Sequence, residues 1–564
     1  VTEITAPTSE LARSTTAARI GWAILILATL YFCYFSHLGA IGFVGPDEPR
    51  YAWIARDMLE SADWVTPRLY GKPWFEKPPL FYWGAAASFK LFGVSEAAAR
   101  LPSAISALLA TLALAWLALR LYGAETARWL LLLLPATVGM IGFSHAAATD
   151  MPFSGMLSIA MVCAAVVLGL TRNENTPILP RTPWLALILF GFFLGLAVLA
   201  KGPAAIILSG GAIFFWALFT KRWRDAFRLF HPAALASFCL TALPWYILCA
   251  RRNPDFFRIF IIEHNFKRYL TPEFQHIQPF WYYLPVLLVA FLPWTATLLW
   301  TAFEGSLQLV RTKKISPHFL FLLSWSVFVI VFFSLSRSKL PGYILPAIPA
   351  IGVIVTHACL TMTSEHRKSF RFSLVTAAVL LSLLLALVRM ITQHMVIGSA
   401  RFRGASLLIV LIGAANILMG ICYPSSSGND LRKLLAASSV LPILLAVSLT
   451  DGLLSSYFRW DPSGRSLSEE IRGNGIPSHE LFARAMSRGQ RYSLSFYLHQ
   501  EVREWAPEYP REGYLLSGSG YCGGVMGLDL TCHEIPFSLE KTGFFLYRIE
   551  RRLSDSPSNS RQPH

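Results

Sequence analysis

"GWAILILATLYFCYFSHLGAIGFVGPDEPRYAWIARDML", residues 21–59, decides how this chain is read. Its first half, 21–41, is an apolar run of about the 20 residues that a helix needs to cross a bilayer. The run is long and no small-residue cleavage pattern follows it, so it reads as a retained span and not as a signal peptide. Directly after it come adjacent carboxylates, Asp47 and Glu48, ringed by Pro46, Pro49, Arg50 and Tyr51. A surface loop has this composition, and so does the mouth of an active site at a membrane boundary.

The rest of the chain favours a membrane setting. Of 564 residues, 54% are hydrophobic and 15% are charged, where a soluble protein carries about 25% charged residues. Thirteen apolar stretches read as spans, at 20–41, 100–119, 127–143, 151–170, 184–200, 203–220, 230–250, 283–303, 317–335, 341–361, 372–389, 405–422 and 433–450. The fold class is therefore an α-helical polytopic membrane protein. The net charge of +16 sits in short clusters between spans, which is a topology signal and not a nucleic-acid footprint. Contact with anionic lipid head groups is the one polyanion interaction it suggests.

With the N-terminus cytoplasmic, the inner segments hold eighteen Lys and Arg and the short outer segments six. That bias favours N-in, and an odd span count puts the C-terminus outside. Residues 1–450 then form the membrane domain, with long outer loops at 42–99 and 251–282. Residues 451–564 turn into soluble-type sequence, expected to form a small α/β domain with a disordered tail from about 553. Within it "YSLSFYLHQ" and "GFFLYRIE" alternate like strands.

Six cysteines (Cys33, Cys163, Cys239, Cys249, Cys359, Cys422) lie in or beside spans and need no special reason. Cys522 and Cys532, in "YCGGVMGLDLTCH", are spaced for a disulfide in an oxidising compartment. A metal pair with His533 is the competing reading.

The outer loops carry the chemistry. Residues 49–60 and 79–92 are amphipathic pieces suited to lie along the interface. Between them, in "PRLYGKPWFEKPPLFYW" (67–83), Glu76 and Lys77 are held between aromatics and two prolines. The second outer loop offers "FRIFIIEHNFKRYLTPEF" (257–274), with Glu263, His264, Lys267 and Arg268 at helical spacing. The outer turn "SRSKLPGYILP" (336–346) adds Arg337, Lys339 and Tyr343, and "SHAAATDMPF" (144–153) adds Asp150. Each has an ordinary alternative: an interfacial anchor, a packing histidine, a helix-capping aspartate. Together they bring carboxylates, cations and aromatics to one side of the bilayer, where charges are costly and tend to mark function. The pattern suits a reaction in which a lipid phosphate leaves, cations stabilise its charge, and a carboxylate serves the acceptor or the electrophilic centre. No P-loop or dinucleotide fingerprint is present. A transporter or flippase would place ionisable residues deep in the spans and repeat one half of the chain in the other; neither pattern is seen.

"GPDEPRYAWIARDML", "GKPWFEKPPLFYW", "TDMPF", "EHNFKRY" and "SKLPGYILPAIPA" together resemble the bacterial aminoarabinose transferase family, over most of residues 20–460. Its wider relatives are the C-type (GT-C) glycosyltransferases, including protein O-mannosyltransferases, which are the alternative. The resemblance implies transfer of 4-amino-4-deoxy-L-arabinose from undecaprenyl phosphate to a lipid A phosphate on the periplasmic face of the inner membrane. That modification gives resistance to polymyxin and other cationic antimicrobial peptides. It implies Asp47 as the catalytic acidic residue with Glu48 beside it and Asp150 as a second acid. It implies Lys77, Arg268 and Tyr343 on the donor lipid phosphate. Glu76 and His264 are the candidates for a divalent metal, although no cofactor is required by the sequence. A monomer is expected. No motif names the sugar, which rests on family likeness alone.

Overall fold

The computed structural model describes residues 8–171, 183–267, 277–292, 294–312, 315–365, 464–506, 512–518, 530–536 and 544–551. The expected spans 372–389, 405–422 and 433–450, the tail from 553, Arg268 and Cys522 lie outside the described residues.

The chain opens with α1 (Thr8–Tyr34). Three helices of the first long loop and its exit follow: α2 (Asp47–Ser61), α3 (Leu80–Phe92) and α4 (Glu96–Tyr122). Next come α5 (Ala124–Leu133), α6 (Val138–Ser144), α7 (Asp150–Val167), α8 (Trp184–Lys201), α9 (Ala204–Thr220), α10 (Trp223–Phe227) and α11 (Pro232–Arg252). After a π-helical stretch, Arg258–Lys267, the bundle continues through α12 (Tyr283–Ala290), α13 (Thr295–Thr312), α14 (Pro317–Leu335) and α15 (Ile348–Glu365). Among the described residues six helices are long and apolar enough to cross a membrane, or seven if the α5–α6 pair counts as one span. The protein is a multi-pass membrane protein.

All ten of the expected spans that fall on described residues are helical, but two are broken. The 127–143 stretch is α5 and α6, bent by 62° around Pro135, which cannot donate to the helical ladder and crowds the preceding turn. The 283–303 stretch divides into α12 and α13. Close packing depends on small residues: a methyl added at Gly195 of α8 would lie 2.8 Å from Thr241 Cβ of α11. Such contacts replace the hydrophobic drive that lipid removes.

The first loop is a packed body. A tight hairpin, β1 (Arg68–Leu69) and β2 (Lys72–Pro73), turns through Tyr70 and Gly71, both at positive φ (53° and 75°). The two amphipathic pieces, α2 and α3, pack face to face through Tyr51, Ile54, Met58, Phe81, Tyr82 and Phe89, and Phe496 from the C-terminal region joins the same cluster.

The C-terminal region folds as α16 (Arg465–Gly473), β3 (Leu481–Arg484), α17 (Arg488–Leu498), β4 (Arg503–Glu504), β5 (Gly513–Ser517), β6 (Leu530–Ile535) and β7 (Phe545–Arg551). Its mixed sheet has the order β4-β3-β5-β7-β6. "GFFLYRIE" supplies β7 as expected. "YSLSFYLHQ" is helical instead: Ser487 caps α17 by accepting from Gln490 N–H, a start signal that outweighs short-range alternation.

Candidate active site

The bundle brings the outer turns of the chain together at one end, and there the two adjacent carboxylates of the opening motif part company. Glu48 turns inward. It accepts from Arg100 Nε and Nη2 (3.0 and 2.8 Å), Val44 N–H (2.9 Å) and Ala147 N–H (2.8 Å). An ionised carboxylate offers about four acceptor sites, so none is left for a substrate. Arg100 spends its remaining donors on the carbonyls of Leu38, Ile41 and Gly42. Both residues are buried, at 8% and 5% exposure. The sequence expectation sets Glu48 beside Asp47 as catalytic; here its acceptor sites are taken up by Arg100, Ala147 and the 38–48 turn.

Asp47 turns the other way, with half of its side chain exposed and Oδ1 2.5 Å from Arg50 Nη2. Arg50 is buried, and its guanidinium also lies 3.0 Å from Glu76. Glu76 in turn lies 3.9 Å from Lys77. Asp47 and Lys77, thirty residues apart in the chain, are thus joined through Arg50 and Glu76. Pro49 at the start of α2 and the prolines around Glu76 and Lys77 stiffen the backbone on both sides.

Aromatics line this charged chain. Arg50 lies 5.2 Å from the Tyr51 ring centre and 5.3 Å from that of Trp74, within cation–π range. Burial first, then Asp47 and Glu76, push the Tyr51 hydroxyl far above its ordinary range. Burial and Glu76 do the same for Tyr82. Both therefore stay neutral O–H groups at any physiological pH. Arg50 Nε, Trp74 Nε1 and the Tyr82 hydroxyl are buried donors with no hydrogen-bond partner among the described residues. Each unmet donor costs about 1–3 kcal/mol, a cost that an acceptor oxygen of a ligand would remove.

The second group is built on α7, α8 and the "PGY" turn. Asp150, first residue of α7, pairs with Lys201, last residue of α8, at 2.5 Å. Lys201 Nζ lies 4.8 Å from the Tyr343 ring centre and 5.6 Å from that of Phe153. Gly342 makes this approach possible, since a methyl there would lie 2.5 Å from Asp150 Oδ1. In the sequence Lys201 stands in the short turn between the apolar stretches 184–200 and 203–220. Only the tertiary fold shows that it meets Asp150, fifty-one residues earlier.

The second outer loop is tied down at both ends. Arg252 reaches Asp63 (3.0 Å), and Asn253 donates to Thr66 Oγ1 (3.0 Å). Ile277 bridges to Ser338, and Lys339 donates to the carbonyls of Gln278 and Ser336. Two of the three Lys339 ammonium donors are thus committed to the loop. Burial, then Arg337, lowers its pKa. Glu263 pairs with Arg258 at 2.7 Å. His264 and Lys267 lie at the end of the π-helical stretch.

The metal expectation meets a poor donor set. Glu76 already faces two cations, and among the described residues no three of His, Cys, Asp or Glu gather. One carboxylate and one imidazole leave a protein-held site largely unfilled. Cys532 is disulfide-bonded, which removes it from a metal pair with His533.

Comparison with known proteins gives this geometry its context. Residues 15–260 match the family model for dolichyl-phosphate-mannose-protein mannosyltransferase. A protein of Aeromonas salmonicida, undecaprenyl phosphate-alpha-4-amino-4-deoxy-L-arabinose arabinosyl transferase, is 31% identical over 437 residues, 76% of each chain. The chain belongs to that family. The Erwinia tasmaniensis member is 31% identical over 66% of each chain. The crystal structure of ArnT from Cupriavidus metallidurans bound to undecaprenyl phosphate matches with a TM-score of 0.75 at 23% identity, covering 94% of this chain and 98% of that one. The fold is therefore the GT-C fold of the aminoarabinose transferases, and the protein is a glycosyltransferase that uses a lipid-linked sugar, not a transporter or flippase.

Proposed function

We propose that this aminoarabinose transferase moves 4-amino-4-deoxy-L-arabinose from undecaprenyl phosphate to a phosphate of lipid A, as a monomer. The site would face the periplasm from the bacterial inner membrane, with the N-terminus cytoplasmic and the C-terminal domain periplasmic. The observation that carries the reading is the charged chain Asp47–Arg50–Glu76–Lys77, drawn from one polypeptide and flanked by buried unmet donors. It offers one half-exposed carboxylate next to two fixed positive groups, Arg50 and Lys77, at the place where an anionic lipid donor and acceptor would meet.

In the proposed step an oxygen of the lipid A phosphate attacks the anomeric carbon. The bond from that carbon to the donor phosphate oxygen breaks, and undecaprenyl phosphate leaves with the electron pair. A phosphate is already a nucleophile at neutral pH, so no strong base is needed. Asp47 would orient the acceptor, hold the donor's amino group, or stabilise positive charge at the anomeric centre. Lys77 and Tyr343, with Arg268 from outside the described residues, would hold the departing phosphate, where fixed cations stabilise developing charge. The Asp150–Lys201 pair would support Tyr343 from below. No step uses a metal.

Mass spectrometry of lipid A from a deletion strain, with and without this chain restored, tests the proposal. Restoration should return the aminoarabinose adduct and polymyxin resistance. Unmodified lipid A alongside newly mannosylated periplasmic proteins would replace the reading with protein O-mannosyl transfer.

A further inference from the structure

We infer that the C-terminal domain is part of the catalytic apparatus, with Tyr497 a positioning residue that clamps the turn carrying Asp47. The inference rests on Asp47 being the carboxylate at the reacting centre, as proposed above.

Residues 43–46 are the end of the 35–46 connection between α1 and α2, and Asp47 is the first residue of α2. On one side it is held by Glu48 in the Arg100 knot. On the other side it is held by residues more than four hundred positions away. Tyr497 Oη accepts from Phe43 N–H at 3.0 Å. Ser493 Oγ donates to the Phe43 carbonyl at 3.2 Å. Both backbone polar groups of a fully buried residue are thus met by α17.

The same tyrosine hydroxyl donates to Glu96 Oε1 at 2.6 Å, and Glu96 also lies 2.5 Å from Arg465 of α16. Burial and Glu96 raise the Tyr497 pKa, so the hydroxyl keeps the proton it donates. The Phe43 ring packs edge-on against Phe496 at 4.8 Å and lies 6.0 Å from the Tyr497 ring. Gly489, near the start of α17, lies against Gly45: a methyl at 489 would sit 2.9 Å from Gly45 C and 3.1 Å from its O. This contact is backbone on backbone and has little room to yield.

Docking alone would call for an apolar patch and some surface charge. Here the domain grips the main chain of one turn at its N–H, its carbonyl and its Cα surface, four and two residues before Asp47. A carboxylate displaced by about 1 Å loses about 10²-fold in rate while the substrates still bind.

The test uses the full chain in proteoliposomes with the undecaprenyl phosphate-linked amino sugar and lipid A. Tyr497→Phe keeps the ring and removes the hydroxyl; Gly489→Ala presses α17 away from Gly45. Each should lower kcat about tenfold or more with both KM values within about twofold. Hydrogen exchange should quicken in residues 43–50 and stay unchanged in 465–506. Wild-type kcat in a folded Tyr497→Phe protein would overturn the inference, as would a fall in kcat with exchange quickened throughout the chain. An inactive wild-type chain would sink the transfer reading instead, and the exchange pattern would still decide whether the clamp exists.

Discussion

Two neighbouring charged groups at the same end of the bundle behave in opposite ways. Around Glu48 and Arg100 every donor has an acceptor and every acceptor site is filled, with both side chains inside. Around Asp47 and Arg50 the carboxylate is half exposed, and buried donors on Arg50, Trp74 and Tyr82 stay unmet among the described residues. The first group meets its own hydrogen bonds and the second, among the described residues, does not. Satisfaction of hydrogen bonds, more than charge or position in the motif, separates the carboxylate taken up by the fold from the one we propose as catalytic.

That contrast can be broken most severely at its structural half. Glu48→Ala leaves the Arg100 guanidinium buried without its counter-charge, and should destabilise the protein by about 3–5 kcal/mol. The loss would show as a lower thermal midpoint in detergent and a poor folded yield. Asp47→Asn should do the reverse, lowering transfer about 10²–10³-fold with the thermal midpoint close to wild type. A folded, fully active Asp47→Asn protein would erase the distinction drawn here.

The second ion pair sharpens the comparison. Lys201→Met and Asp150→Asn each strand a partner near hydrocarbon, while the double variant strands neither. A double-mutant cycle on thermal stability should return a coupling of about 1–3 kcal/mol. Independent, additive effects would show that the pair is incidental.

The smallest expected effect is on pH dependence. Burial would raise the Asp63 carboxyl, but hydrogen bonds from Arg68 and from the amides of Val65 and Thr66 hold it below its ordinary 3.8. Its stabilisation is therefore complete above pH 3.8 and is lost as the pH falls further through the folded value. Thermal midpoints of Asp63→Asn should lose less than wild type over that acid range. Equal losses would remove Asp63 from the account.

Much of the fold was legible in the residues because burial in lipid imposes long apolar runs that show without any tertiary contact. The bend in the 127–143 span follows a proline that can be read in the sequence, at 135. The helix at 488–498 was missed because alternation over a few residues mimics a strand until Ser487 is recognised as its cap. At the site, Asp47, Glu76, Lys77, Asp150 and Tyr343 stood out as charges and aromatics in outer turns. Arg50 was visible only as a neighbour of the carboxylates, although its i, i+3 spacing from Asp47 on a helix is the signal that pairs them. Lys201 and Tyr497 carried no local signal.

By itself the sequence determined that this is a multi-pass helical membrane protein with charged and aromatic turns between its apolar runs. Hydrophobic length and charge placement are properties of composition along the chain, and they act before any contact forms. Which carboxylate is taken up by the structure and which stays half exposed was decided only in three dimensions. So was the meeting of Lys201 with Asp150, and of Tyr497 with the turn before Asp47. Each depends on whether a particular partner, contributed by a remote segment, arrives within hydrogen-bonding distance, and no local pattern encodes that distance.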